Sequence, residues 1–93
     1  MPKILLFRNL FFFFYGGDIN DRGHLHIGNQ KGYVNYAKIW FENGIELFEQ
    51  GSLTKNEISQ ALKVITQQQT YIQLQWDNFK HGEQTKIKTI KKI

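Results

Sequence analysis

The residues best suited to chemistry lie in one short segment, Asp18-Ile-Asn-Asp-Arg-Gly-His24-Leu-His26-Ile27. In an extended strand alternate side chains share a face, so His24 and His26 project side by side while Leu25 and Ile27 point into a core. Two imidazoles so placed can divide acid and base duties, share a metal, or bind a phosphate when protonated. The acid–base version is a metal-independent cleavage of RNA. One ring would take the 2′-hydroxyl proton and the other protonate the leaving oxygen, with Arg22 steadying the phosphate and Asp18 or Asp21 orienting a ring. Neighbouring histidines on one face approach a phosphate from one side, whereas this displacement needs acid and base on opposite sides, so the reading leans away from an enzyme. The same alternation also fits a half-buried edge strand with no site at all. A metal would need Asp18 or Asp21 as its third ligand, because His81 lies far along the chain; no metal and no cofactor is expected.

Strands must position this pair. The chain opens with two apolar runs joined at Arg8-Asn9 and closed by Gly16-Gly17, which reads as two neighbouring strands. Four consecutive phenylalanines in the second run mean that both of its faces meet apolar groups, so it belongs inside a sheet. The opening is too short in apolar residues to span a bilayer, which takes about 20 of them, and Arg8 and Asn9 break it as a signal segment. A cytoplasmic protein without membrane contact is expected. After the histidine strand, Gly28 to Gly32 reads as a turn and Tyr33 to Phe41 as a strand. Tyr33, Asn35, Ala37, Ile39 and Phe41 fall on one face, and Val34, Tyr36, Lys38 and Trp40 on the other. Asn43-Gly44 suits the positive φ values of a tight hairpin turn, returning through Ile45 to Phe48.

Thr54-Lys-Asn-Glu57 has the spacing of a capping box, placing a helix start at Lys55. From there Ile58, Leu62, Ile65, Gln69, Ile72, Trp76 and Phe79 recur at intervals of four and three, with Ala61 and Val64 widening the stripe. Neither glycine nor proline interrupts Lys55 to Lys80, which disfavours a helix-turn-helix DNA reader. The expected fold is therefore α+β: a small, mostly antiparallel sheet of four to five strands packed against one long or bent C-terminal helix. Residues 1–79 form that domain. Charge divides at the same point, since acidic and basic residues balance through Phe79 and the net charge of +4 comes from the segment after it. Residues 80–93 are read as a basic, flexible tail whose Lys86, Lys88, Lys91 and Lys92 could touch phosphates. No cysteine is present, so there is neither a disulfide nor a thiolate site.

The order Met1-Pro2, Phe12 to Tyr15, His24-Leu-His26-Ile27, Ala37-Lys-Ile-Trp40, Gly51-Ser-Leu53 and Trp76-Asp-Asn-Phe79 resembles the domain-of-unknown-function family 4160, small bacterial proteins. The resemblance covers most of residues 1–79. Relatives carry a further histidine and a Pro-Pro pair before the His-x-His; here Ile19 and Arg22-Gly23 stand there, so a site of three histidines is not expected. The resemblance implies a place beside toxin–antitoxin modules and no particular mechanism. The leading expectation is a non-enzymatic binding protein, an accessory or antitoxin-like component. Tyr36, Trp40 and Lys38 are its contact residues, and its partner is another protein or a second copy of itself. Nucleic acid is the second class of partner, and RNA cleavage by His24 and His26 is the alternative function.

Overall fold

The computed structural model describes residues 2–29 and 35–93, and of Asp18 the backbone alone. It contains six strands: β1 (Lys3–Phe7), β2 (Leu10–Phe13), β3 (His24–Asn29), β4 (Ala37–Trp40), β5 (Glu46–Glu49) and β6 (Lys88–Ile90). Two helices, α1 (Lys55–Gln67) and α2 (Gln69–Lys80), lie between β5 and β6 in sequence. The strands form one sheet in the order β5-β4-β3-β2-β1-β6. All neighbours run antiparallel except β1 and β6, which are parallel. The α+β class holds, with a larger, mixed sheet and two helices in place of the four to five strands and single helix expected.

Both the β1–β2 and the β4–β5 hairpins turn through residues at positive φ, and local chemistry accounts for the second. Arg8 adopts φ 54° at the β1–β2 turn. Asn43 and Gly44 adopt φ 59° and 104° at the β4–β5 turn, the pair of positive values that the Asn-Gly dipeptide tolerates best. Residues 31, 33 and 34, expected at or beside the start of β4, lie outside the described residues. The strand is shorter than expected, Ala37–Trp40, and Asn35 is exposed, but from 36 to 41 the faces divide as expected: Ala37, Ile39 and Phe41 are buried in the core, while Tyr36, Lys38 and Trp40 occupy the opposite face.

The capping box forms as the sequence indicates. The Thr54 hydroxyl accepts from the Glu57 amide at 3.1 Å, and the Glu57 carboxylate accepts from the Thr54 amide at 2.9 Å. The helix nevertheless breaks at Gln68, whose φ of −109° and ψ of 23° leave the helical region. Two features favour the break there. Thr66 Oγ1 donates back to the Leu62 carbonyl at 2.8 Å, a bond that bends helices. In addition, Gln69 occupies the stripe position where an apolar residue would have tied the two halves to the sheet, and it is exposed. The break lets Ile58, Ala61, Val64 and Ile65 of α1 and Ile72 and Trp76 of α2 join Leu5, Phe7, Phe12, Phe14, Leu25, Ile27, Ile39 and Phe41 in one core.

The sixth strand comes from the segment read as a tail. Gln75, a polar residue buried to 3 % exposure on α2, accepts from the Lys86 amide at 2.8 Å through its side-chain oxygen. Tyr71 donates its phenol to the Lys86 carbonyl at 2.6 Å. Desolvation raises the Tyr71 pKa above its usual 10.0, which keeps it a donor. These bonds turn the chain from α2 onto the β1 edge, where Ile90 enters the core opposite Phe7.

Candidate binding site on the open sheet face

The sheet's second face, away from the helices, carries rings where a solvated sheet would carry polar side chains. Across β2, β3 and β4 the register is regular and the outward positions align, while β1 and β5 join through irregular registers. His26 stands opposite Phe13 on one side and Lys38 on the other, and His24 opposite Trp40. Phe13 in turn stands opposite Lys3. Eight rings form an unbroken chain of contacts. Phe48 meets Trp40 at 5.2 Å between centroids, Trp40 meets His24 at 4.8 Å, and His24 meets His26 at 5.0 Å. His26 meets Tyr15 at 4.5 Å and Phe13 at 5.5 Å, and Phe13 meets Tyr36 at 4.9 Å and Phe11 at 5.7 Å. Phe13 has no exposed surface, yet it lies outside the helix-side core; the rings of this outer layer bury it. Gly28 makes the layer possible between Phe11 and Tyr36, because a Cβ there would stand 2.6 Å from one ring and 2.8 Å from the other.

Cations sit over three of these rings. Lys3 Nζ lies 4.8 Å from the Phe11 centroid, the Arg22 guanidinium 5.0 Å from Trp40, and Lys38 Nζ 5.9 Å from Phe48. Arg22 is committed to the β4–β5 hairpin. It donates to the carbonyls of Glu42, Asn43 and Gly44 at 2.6, 3.1 and 3.0 Å and pairs with Glu46 at 3.0 Å. Lys38 pairs with Glu49 at 3.6 Å, an exposed contact of small energetic weight.

The structure therefore brings together His24, His26, Tyr36, Lys38 and Trp40, and sets the basic segment apart. Lys88 lies on β6 at the far edge, on the helix side, where its Nζ donates to the Gln68 side chain at 2.9 Å and lies 5.2 Å from the Tyr71 ring centroid. Lys86, Lys91 and Lys92 are exposed beside it. Both histidines are nearly buried, at 6 % and 3 % exposure. His24 Nδ1 lies 3.0 Å from the Arg22 carbonyl oxygen, which can only accept, so that nitrogen carries the proton. Asp21 is exposed, and the Asp18 side chain lies outside the described part of the chain. Among the described residues, no group of three or more His, Cys, Asp or Glu side chains is arranged to hold a metal ion.

Phe11, Phe13, Tyr15 and Phe48 also belong to this face, which the spacing of the histidines alone does not indicate. The signal was available, since Phe11, Phe13 and Tyr15 alternate with the core residues Leu10, Phe12 and Phe14 in the same phase as the two histidines.

Residues 9–77 match the family described as a domain of unknown function (DUF4160). The chain belongs to that family. The match runs from the β1–β2 turn into α2, so it takes in the aromatic face from Phe11 to Phe48 and stops before β6. No curated protein and no solved structure matches the chain. No described helix of this DUF4160 protein is long and apolar enough to cross a membrane.

Proposed function

We propose that this DUF4160 protein is a non-enzymatic binding protein, an accessory or antitoxin-like component of a bacterial toxin–antitoxin module, whose protein partner covers the β4–β5 end of the aromatic face. The observation that carries the reading is the ring layer itself, which ends at the sheet edge in Phe48, 54 % exposed, beside Trp40. An aromatic residue that is held in place by ring neighbours and still half open to water supplies contact area at little entropic cost. β5 is also a terminal strand, so its outer backbone groups can pair with a partner segment. RNA cleavage by His24 and His26 has less support. The arginine that would steady the phosphate is bound into the hairpin, and both imidazoles are packed beneath larger rings.

The test is co-purification from the native bacterium of the tagged full chain and of its Phe48→Ser variant. Phe48 lies outside the core, so the variant should fold normally, retaining the native circular-dichroism spectrum and melting temperature. A protein that copurifies in fixed stoichiometry with the native chain and is lost with Phe48→Ser is the expected result. Equal recovery with both chains, or a strict monomer with nothing recovered, contradicts the proposal.

A further inference from the structure

Within the binding face proposed above, we infer that the region from β1 to β4 is a site for single-stranded nucleic acid, with Lys3 and Lys38 taking phosphates and Phe11 and Tyr36 taking bases. The inference rests on reading the face as a binding surface, and it adds the chemistry of a second ligand. Lys3, Phe13, His26 and Lys38 form one cross-strand row, a cation at each end with rings between. With strands about 4.8 Å apart, the two lysine backbones stand about 14 Å from each other. Beside that row, Phe11 and Tyr36 lie partly exposed over Gly28. Among the described residues, the outward charged groups are Lys3, Lys38 and Arg22, with Glu46 and Glu49 at the β5 margin, so the β1–β4 portion is cationic once Glu49 is displaced from Lys38. Phe13 and His26 are buried, so the accessible ring faces are those of Phe11 and Tyr36; with a cation near each, they match the two components of a single strand, flat bases and a regularly charged backbone. Duplex DNA or RNA offers its bases only at groove edges and would not reach the rings of this broad face.

The experiment is fluorescence anisotropy of a short labelled oligouridine and of a duplex of equal length, titrated with the full-length chain across a range of salt concentrations. The expected result is tighter binding of the single strand. Lys3→Gln with Lys38→Gln should lower the slope of log affinity against log salt by about 0.7 for each lysine. Tyr36→Leu should cost roughly five- to 150-fold in affinity with the slope unchanged. The lysine variants alter exposed termini of side chains and keep the measurement valid should Tyr36→Leu fold poorly. Equal affinity for duplex and single strand overturns the inference, as does binding that survives the double lysine variant and disappears when Lys86, Lys91 and Lys92 are neutralised. Loss of this inference alone would leave partner recovery sensitive to Phe48→Ser; loss of the binding-face reading would abolish both effects.

Discussion

Glu57 connects three parts of the molecule through one carboxylate. It completes the cap of α1, and its second oxygen accepts from Asn29 at the end of β3 at 3.0 Å and from Asn9 in the β1–β2 turn at 3.5 Å. The backbone bond to Thr54 is the largest of the effects holding its pKa below the usual 4.5; burial, the next largest, opposes it, and the bonds from Asn29 and Asn9 add to the lowering. A carboxylate depressed in the folded state contributes stability above its unfolded pKa and loses it as pH falls through the folded value. The native chain should thus be more stable than Glu57→Gln near neutral pH, by up to about 1 kcal/mol for this partly buried group. The difference should vanish as pH falls well below 4.5. Urea titrations of both chains across that range measure it; a constant difference down to acid pH would show that charge is not what the cap uses. Arg22 shows the limit of reading single residues. Its type and place beside His24 suggest a phosphate ligand, whereas three carbonyls 20 or more residues away, invisible in local spacing, claim its guanidinium.

Among the elements, the turn entering α1 is set by Gly51. It adopts φ 61°, and a Cβ there would stand 2.4 Å from the Asn35 carbonyl oxygen and 2.7 Å from the Tyr36 backbone. Gly51→Ala should therefore cost about 2–4 kcal/mol, because strain at positive φ adds to a clash with backbone that cannot swing aside. Thermal unfolding reads this directly, and a loss below about 0.5 kcal/mol would mean that the loop rearranges freely. The elements legible in the sequence were those with local signals. These were the Arg8-Asn9 turn, Asn43-Gly44, the Thr54–Glu57 cap, and the alternation that divides Ala37, Ile39 and Phe41 from Lys38 and Trp40. The break at Gln68 and the addition of β6 depend on tertiary bonds. Lys88-Thr-Ile90 is too short and too basic to read as a strand, and only the buried Gln75 and the Tyr71 phenol bring it to β1. Gln75 carried a faint signal, a polar residue one position from Trp76 on the buried stripe.

For the whole molecule, the arrangement separates two apolar layers across one sheet. The helices complete the first layer. Among the described residues, the second ends in exposed rings at Phe48 and Tyr15. The histidine pair, the most conspicuous motif in the sequence, is legible as a shared face, but its role in the second layer required the register that sets Phe13, Lys38 and Trp40 around it. The central claim is that this face, and not the helical one, meets the partner. Site-specific photo-crosslinking tests it most directly, with p-benzoylphenylalanine placed at Phe48 or at Leu74 on α2, positions of nearly equal exposure at 54 % and 55 %. Illuminated in the native bacterium, the chain substituted at Phe48 is predicted to give one crosslinked species of defined mass, and the chain substituted at Leu74 none. No adduct at Phe48, or the same adduct at both positions, would contradict the account.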